Sequence, residues 1–203
     1  MPLSIIQETL KDEYMIQNVI ESVVSNFSDD YRKMLDDISF IRAFYKDEKV
    51  LEQGKYCKHL WFINRGAVKA YELIVGTPRV THFFTKNSFF TNYYCWVTSE
   101  PSDITYSTVT ESELIIIDHQ KLMSLCEEHH IFDTIGRRIA EKVYVEEFQL
   151  RRLLLNCSAT DRYEHLEKNN PEVFKYFPLK DIASFIGITD VSLSRIRKER
   201  LSN

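Results

Sequence analysis

At 203 residues, with 44% hydrophobic and 28% charged side chains, the chain is long enough to bury one medium core or two small ones and has an ordinary globular balance. The formal net charge of −4 excludes a uniformly basic coat, but the charge is uneven. Residues 150–203 carry ten Lys/Arg against seven Asp/Glu, net +3, which leaves net −7 on residues 1–149. A basic end on an acidic body supplies the local positive field that a DNA-facing surface needs.

Cys57, Cys95, Cys126 and Cys157 are far apart, without zinc spacing, and read as free thiols of a reducing compartment. The first residues have charges too early and an apolar run too short for a signal peptide, and no stretch reaches the length of a membrane span. These features predict a cytoplasmic protein with no membrane partner.

In chain order, Ile5, Ile6 and Leu10, then Ile16, Val19, Ile20, Val23 and Val24, recur at helical spacing. Ser28-Asp29-Asp30 marks a second helix start, leading into Met34, Leu35 and Ile38. From about 44 to 118, short β-branched and aromatic runs (Leu60–Ile63, Val68–Val75, Val80–Phe84, Ile104–Val109, Leu114–Ile117) alternate with turns at Gly54, Asn64-Arg65-Gly66, Gly76-Thr77-Pro78 and Glu100-Pro101-Ser102. The pattern predicts an antiparallel roll or barrel.

Helical texture returns over about 119–128 and 131–155. In the longer segment Ile135, Ile139, Val143, Leu150 and Leu154 form one stripe, which Phe148 and Leu153 widen. So wide an apolar surface predicts a helix packed on two sides, as in a dimer, although a monomeric core helix would share the periodicity. A linker is expected at about 156–161. The expected division is 1–130, a sensor roll with flanking helices; 131–156, a dimerisation helix; and 157–203, a DNA-binding module.

The segment LKDIASFIGITDVSLSRIRKER, residues 179–200, has the pattern of a helix-turn-helix. Ile182, Ile186, Ile188, Leu193 and Ile196 are spaced to join two helices, Ala183 allows their close approach, and Gly187 can take the positive φ of a tight turn. Pro178 suits the start of the first helix and Thr189 can cap the second. Asp190, Val191, Ser194, Arg195 and Lys198 are then exposed, the last four on one face. Arg195 there can meet guanine bidentately and Lys198 a phosphate, whereas a plain helical hairpin would leave the same charges merely solvated.

Helices, a β-roll, a long helix and a terminal helix-turn-helix together resemble the CRP/FNR family of bacterial transcription regulators over about residues 25–200. KDEKVLEQGKYCKHLWFINRGAVKAYEL resembles that family's first hairpins, with Gly54 and Gly66 at the turns, and VSLSRIRKE resembles its recognition helix, with the Ser194-Arg195 pair. The resemblance implies an α+β fold: N-terminal helices, an antiparallel cyclic-nucleotide-binding-like roll, a long dimerisation helix and a winged-helix/helix-turn-helix domain. It also implies double-stranded DNA, a second copy of the chain and RNA polymerase as partners.

Two departures stand out. Nucleotide-binding members carry Phe-Gly-Glu in the phosphate cassette and an Arg-Ser pair some ten residues on; this chain has Phe90-Thr91-Asn92 and Ser102-Asp103. Loss of the cation that should meet a cyclic phosphate, with an anion added next to it, predicts an effector pocket, Thr91, Asn92, Ser102 and Asp103, that is degenerate for cyclic AMP and cyclic GMP. Members also often place Glu three residues before the Ser-Arg pair, where this chain has Val191, so its half-site should differ there.

Cys57 and His59, two residues apart on a strand, with His82 on the next hairpin, are conceivable ligands of a haem or redox sensor, but no third ligand is placed with the strand pair. His129-His130 at a helix end suits the dipole. No phosphate loop, nucleophile elbow or H-E-x-x-H is present, which leaves an enzyme reading without residues, and no metal or cofactor is expected. Three readings stay open: a DNA-binding regulator, a ligand-sensing or protein-interaction module with a vestigial DNA head, and a haem or redox sensor.

Overall fold

The computed structural model describes residues 15–201, so the expected helix over Ile5, Ile6 and Leu10 lies outside the described residues. Helix α1 (Met15–Val23) precedes α2 (Asp29–Asp37), whose cap Ser28 accepts the Tyr31 N–H while Asp29 and Asp30 occupy the first turn. Both carry an apolar face: Ile16, Ile20, Phe27 and Leu35 are buried in one cluster with Phe62, Ile115 and Ile117 of the roll.

The roll has eight antiparallel strands: β1 (Ser39–Phe44), β2 (Lys49–Leu51), β3 (His59–Arg65), β4 (Val68–Ile74), β5 (Thr77–Phe84), β6 (Phe89–Phe90), β7 (Thr105–Thr108) and β8 (Ser112–Asp118). They form two four-stranded sheets, ordered β1-β8-β3-β6 and β2-β7-β4-β5. The first sheet is covered on both faces, by the helices through Phe62, Ile115 and Ile117 and by the interior through Trp61, Ile63, Leu114 and Ile116. Double coverage explains why β3 and β8 read as continuous apolar runs rather than alternating ones.

Gly66, at φ +101 between β3 and β4, stands so close to β8 that a Cβ would lie 2.2 Å from Ser112 Oγ and 2.7 Å from its Cα. Helix α3 (Tyr93–Thr98) interrupts the roll after β6, and α4 (His119–Glu128) follows β8, capped by Asp118 through the Lys121 N–H. Strands β1, β2 and β6 and helix α3 were not expected from the sequence; they are short, or hidden by charged residues such as Arg42.

Helix α5 (His130–Asn156) runs for 27 residues. Its first turns belong to the roll: Phe132 and Ile135 are buried there and Ile139 packs against the same cluster. Beyond that, residues 140–149 are all exposed, among them Val143, Tyr144, Val145 and Phe148.

The expected linker at 156–161 is shorter than predicted. Only Cys157 and Ser158 separate α5 from α6 (Ala159–Asn169), because Ser158 and Asp161 form a reciprocal capping box that starts the new helix. Helices α7 (Pro171–Tyr176), α8 (Leu179–Phe185) and α9 (Asp190–Leu201) complete the module. It holds no strand among the described residues, so it is a helix-turn-helix without a β-wing there.

Candidate nucleic-acid interface

The α8–α9 pair is fixed from within. Ile182, Ala183, Ile186 and Leu193 are at most 1% exposed and Ile196 is buried, while Ile188 is half-buried. They share a core with Tyr163, Leu166, Val173 and Phe177 of the preceding helices and their connection. Gly187 takes φ +73 in the turn, where the Ile188 N–H donates to the Ala183 carbonyl at 2.9 Å. A Cβ on Gly187 would meet Arg162 Nη1 at 3.3 Å. Thr189 Oγ1 accepts the Ser192 N–H at 3.2 Å, so it caps α9 as its position suggested.

The outer face of α9 carries Val191, 69% exposed, with Ser194, Arg195 and Lys198, also exposed; Thr189 and Asp190 are exposed at its start. Asp190 in the first turn complements the helix dipole. Arg200 turns the other way, to Glu167 at 2.5 Å and Glu164 at 3.6 Å, over the Tyr163 ring. That pairing holds the Glu167 carboxyl below the ordinary range and ties the end of α9 to α6. The charges on α9 thus divide between anchoring and outward display.

The cassette is a second candidate site, and the structure brings its four expected residues together around a closed network. Asn92 and Ser102 are buried, and the Asn92 amide donates to Ser102 Oγ at 2.7 Å and toward Asp103 Oδ1 at 3.4 Å. Asn92 Oδ1 accepts the Cys95 N–H, which caps α3. Ser102 Oγ donates to the Ile104 carbonyl at 2.7 Å, and the Thr91 hydroxyl donates to the His59 carbonyl at 3.0 Å. Tyr106 donates to the Thr91 carbonyl at 3.0 Å, and burial pushes its phenol far above its ordinary range. No Lys or Arg side chain is among these partners.

The roll interior beneath is filled by stacked rings: Phe90 lies 5.3 Å from Trp61, 5.1 Å from Phe84 and 5.4 Å from Tyr106, centroid to centroid. Sequence reasoning located the pocket residues but not this filling. Of the haem or redox candidates, His82 Nε2 meets Glu147 of α5 at 2.8 Å, while Cys57 Sγ meets Thr91 Oγ1 at 3.3 Å and donates to the His59 carbonyl at 3.4 Å. Among the described residues no three His, Cys, Asp or Glu side chains are grouped to hold a metal ion.

The dimerisation stripe requires a correction of membership. Ile135 is buried in the chain's own cluster of N-terminal helices, α4 and the outer side of β3 and β8, and Ile139 packs against the same cluster. The apolar surface left open on α5 is Val143, Tyr144, Val145, Phe148 and Leu155, at 46–72% exposure, with Leu150 and Leu154 half-buried beside it.

Residues 41–129 match the cyclic nucleotide-binding domain family. No curated protein sequence matches the chain closely enough to stand as a relative. Among solved structures, a protein of Eubacterium rectale described as a CRP/FNR-family transcriptional regulator is similar at TM-score 0.69 and 13% identity, over 86% of this chain and 84% of its own. FixK2 of Bradyrhizobium japonicum is similar at TM-score 0.66 and 16% identity, over 81% of this chain and 85% of its own. The c-di-GMP-responsive global regulator CLP of Xanthomonas campestris is similar at TM-score 0.65 and 17% identity, over 84% and 90% respectively. The roll, long helix and terminal helices therefore share the fold of these solved structures over most of the chain. Two of these neighbours are described as regulators. No helix of the described residues is long and apolar enough to cross a membrane.

Proposed function

We propose that the chain is a homodimeric, sequence-specific DNA-binding transcription regulator whose sensor roll does not take cyclic AMP or cyclic GMP. Residues 1–130 serve as sensor, 131–156 as dimer helix and 157–203 as DNA module, with RNA polymerase the partner that the family resemblance implies. The observation that carries the reading is the outer face of α9: Val191, Ser194, Arg195 and Lys198 stand exposed on a helix whose inner face is locked by Leu193 and Ile196. An exposed guanidinium on a fixed helix can meet guanine O6 and N7 in one register, while Thr189, Asp190 and Lys198 lie where contacts to the groove edge and phosphates occur.

The exposed apolar residues of α5 favour a second copy. A 27-residue helix whose middle ten residues are all exposed is marginal alone, and a coiled pairing would cover Val143, Tyr144 and Phe148. Fluorescence anisotropy with mixed-sequence duplexes across a salt series tests the DNA reading. Affinity should fall linearly on logarithmic axes as salt rises, with several phosphates' worth of slope. Duplex binding that is absent at low salt would favour the ligand-sensing or protein-interaction module instead.

A further inference from the structure

The DNA module is attached to the rest of the chain twice. One attachment is the two-residue joint Cys157-Ser158 after α5. The other is a seam along β5, which is the open edge of the sheet β2-β7-β4-β5. There the Val80 N–H, on the side where no further strand lies, donates to Ser184 Oγ of α8 at 3.0 Å. Lys69 Nζ of β4 meets Asp181 Oδ2 of α8 at 2.7 Å, with the two side chains 20% and 9% exposed. Phe83 sits between Phe177 and Phe185, ring centroids 4.3 and 5.0 Å away, and Ala67 and Val109 of the roll join the same apolar core as Ile182 and Ala183.

The seam holds α8, the helix on which α9 rests, and leaves the outer face of α9 exposed. The roll is in turn fixed to α5 by Phe132, Ile135 and Ile139 and by the His82–Glu147 contact. A two-residue joint alone would leave α9 free to swing about the end of α5. A second attachment through β5 removes that freedom. An ion pair of low exposure is directional, and its loss leaves an unmatched charge in the seam, so it selects one docking register among those that apolar packing alone would tolerate.

We propose that this seam sets the separation and tilt of the two recognition helices in the dimer, and hence the half-site spacing of the DNA the protein prefers. Lys69, a residue of the sensor roll, and Asp181 are positioning residues for DNA binding. The inference rests on the DNA-binding reading above.

The test uses the full-length chain and the variants Lys69→Glu, Asp181→Lys and the double charge swap. Affinity is measured against duplexes that share one half-site sequence but differ in half-site spacing by single base pairs. Wild type should favour one spacing, because a rigid two-fold pair reads a fixed separation. Each single variant should lose about tenfold at that spacing, bind other spacings almost as well, and keep the half-site sequence preference. The double swap should recover the spacing preference, an outcome that a general loss of folding would not give. In parallel, amide exchange over residues 79–84 should quicken in the single variants and slow again in the double, since the Val80 N–H reports the seam directly. Single variants that keep both the spacing preference and the slow exchange would overturn the proposal. If wild type binds no duplex at any spacing, the DNA reading and this role both fall, even where exchange still shows the ion pair closing the seam.

Discussion

The side-chain amide of Asn92 donates to Ser102 Oγ at 2.7 Å, with both residues buried. If the resemblance read from the sequence holds, this neutral bond corresponds to the place where nucleotide-binding members hold a ribose with Glu and a phosphate with Arg, and the Asp103 carboxyl lies beside it. A cyclic phosphate entering here would leave water without any cation to replace its hydration, and would also have to open a satisfied network.

Cyclic AMP and cyclic GMP should therefore give no binding heat by titration calorimetry at concentrations up to about 1 mM, the range in which even an affinity of about −4 kcal/mol registers. A low-micromolar dissociation constant for either nucleotide would show that the cassette opens and acquires a cation from elsewhere.

The exposed face of α5 makes a second prediction. Phe148→Asp should convert the dimer into monomers, raising its dissociation constant about a hundredfold or more, because a charge replaces an aromatic at the centre of the open face. Light scattering reads the mass, and circular dichroism should show the roll intact. Ile139→Asp should behave differently: it places a charge against the chain's own roll and should lower the melting temperature. A Phe148→Asp protein that keeps the wild-type mass would rule out this face as the interface.

Gly66 and Gly54 offer a paired test of the roll. Both sit at positive φ, +101 and +85, but a Cβ at Gly66 collides with Ser112 whereas one at Gly54 meets nothing within 4 Å. Gly54→Ala should cost about 1 kcal/mol, the conformational term alone, and Gly66→Ala about 2–5 kcal/mol, since β8 must also move. Thermal melts of the two variants give the comparison. Equal shifts would mean that the β3–β4 turn does not press on Ser112.

Much of this architecture was legible in the sequence, for reasons that individual residues make plain. The helix-turn-helix was legible because Ala183 is small where the two helices are fully buried against each other and Gly187 takes the positive φ of the turn, among aliphatics that are nearly all buried. The cassette was legible because Asn92, Ser102 and Asp103 differ in charge from what a phosphate needs. The partner of α5's apolar face was not legible: periodicity shows which residues share a side, not whether a roll or a second helix covers them, so Ile135 and Ile139 were grouped with Val143. Helix α6 begins inside the expected linker at about 156–161, although Ser158-x-x-Asp161 carries the signal of a capping box, and α7 lies in a stretch to which the sequence reading assigns no element. The Lys69–Asp181 pair had no sequence signal, since its members lie 112 residues apart.

The central claim is that α9 reads DNA sequence, and selection from random duplexes, run with wild type, Arg195→Ala, Lys198→Ala and Val191→Glu, tests it most directly. Wild type should enrich a two-fold symmetric pair of half-sites. Arg195→Ala should lose about 1–3 kcal/mol and flatten the preference at one base pair per half-site. Lys198→Ala should weaken all sequences alike and lower the salt slope by about one, and Val191→Glu should shift its contacted position toward cytosine. An Arg195→Ala protein that retains the full wild-type sequence preference would contradict the assignment of α9 as the reading helix.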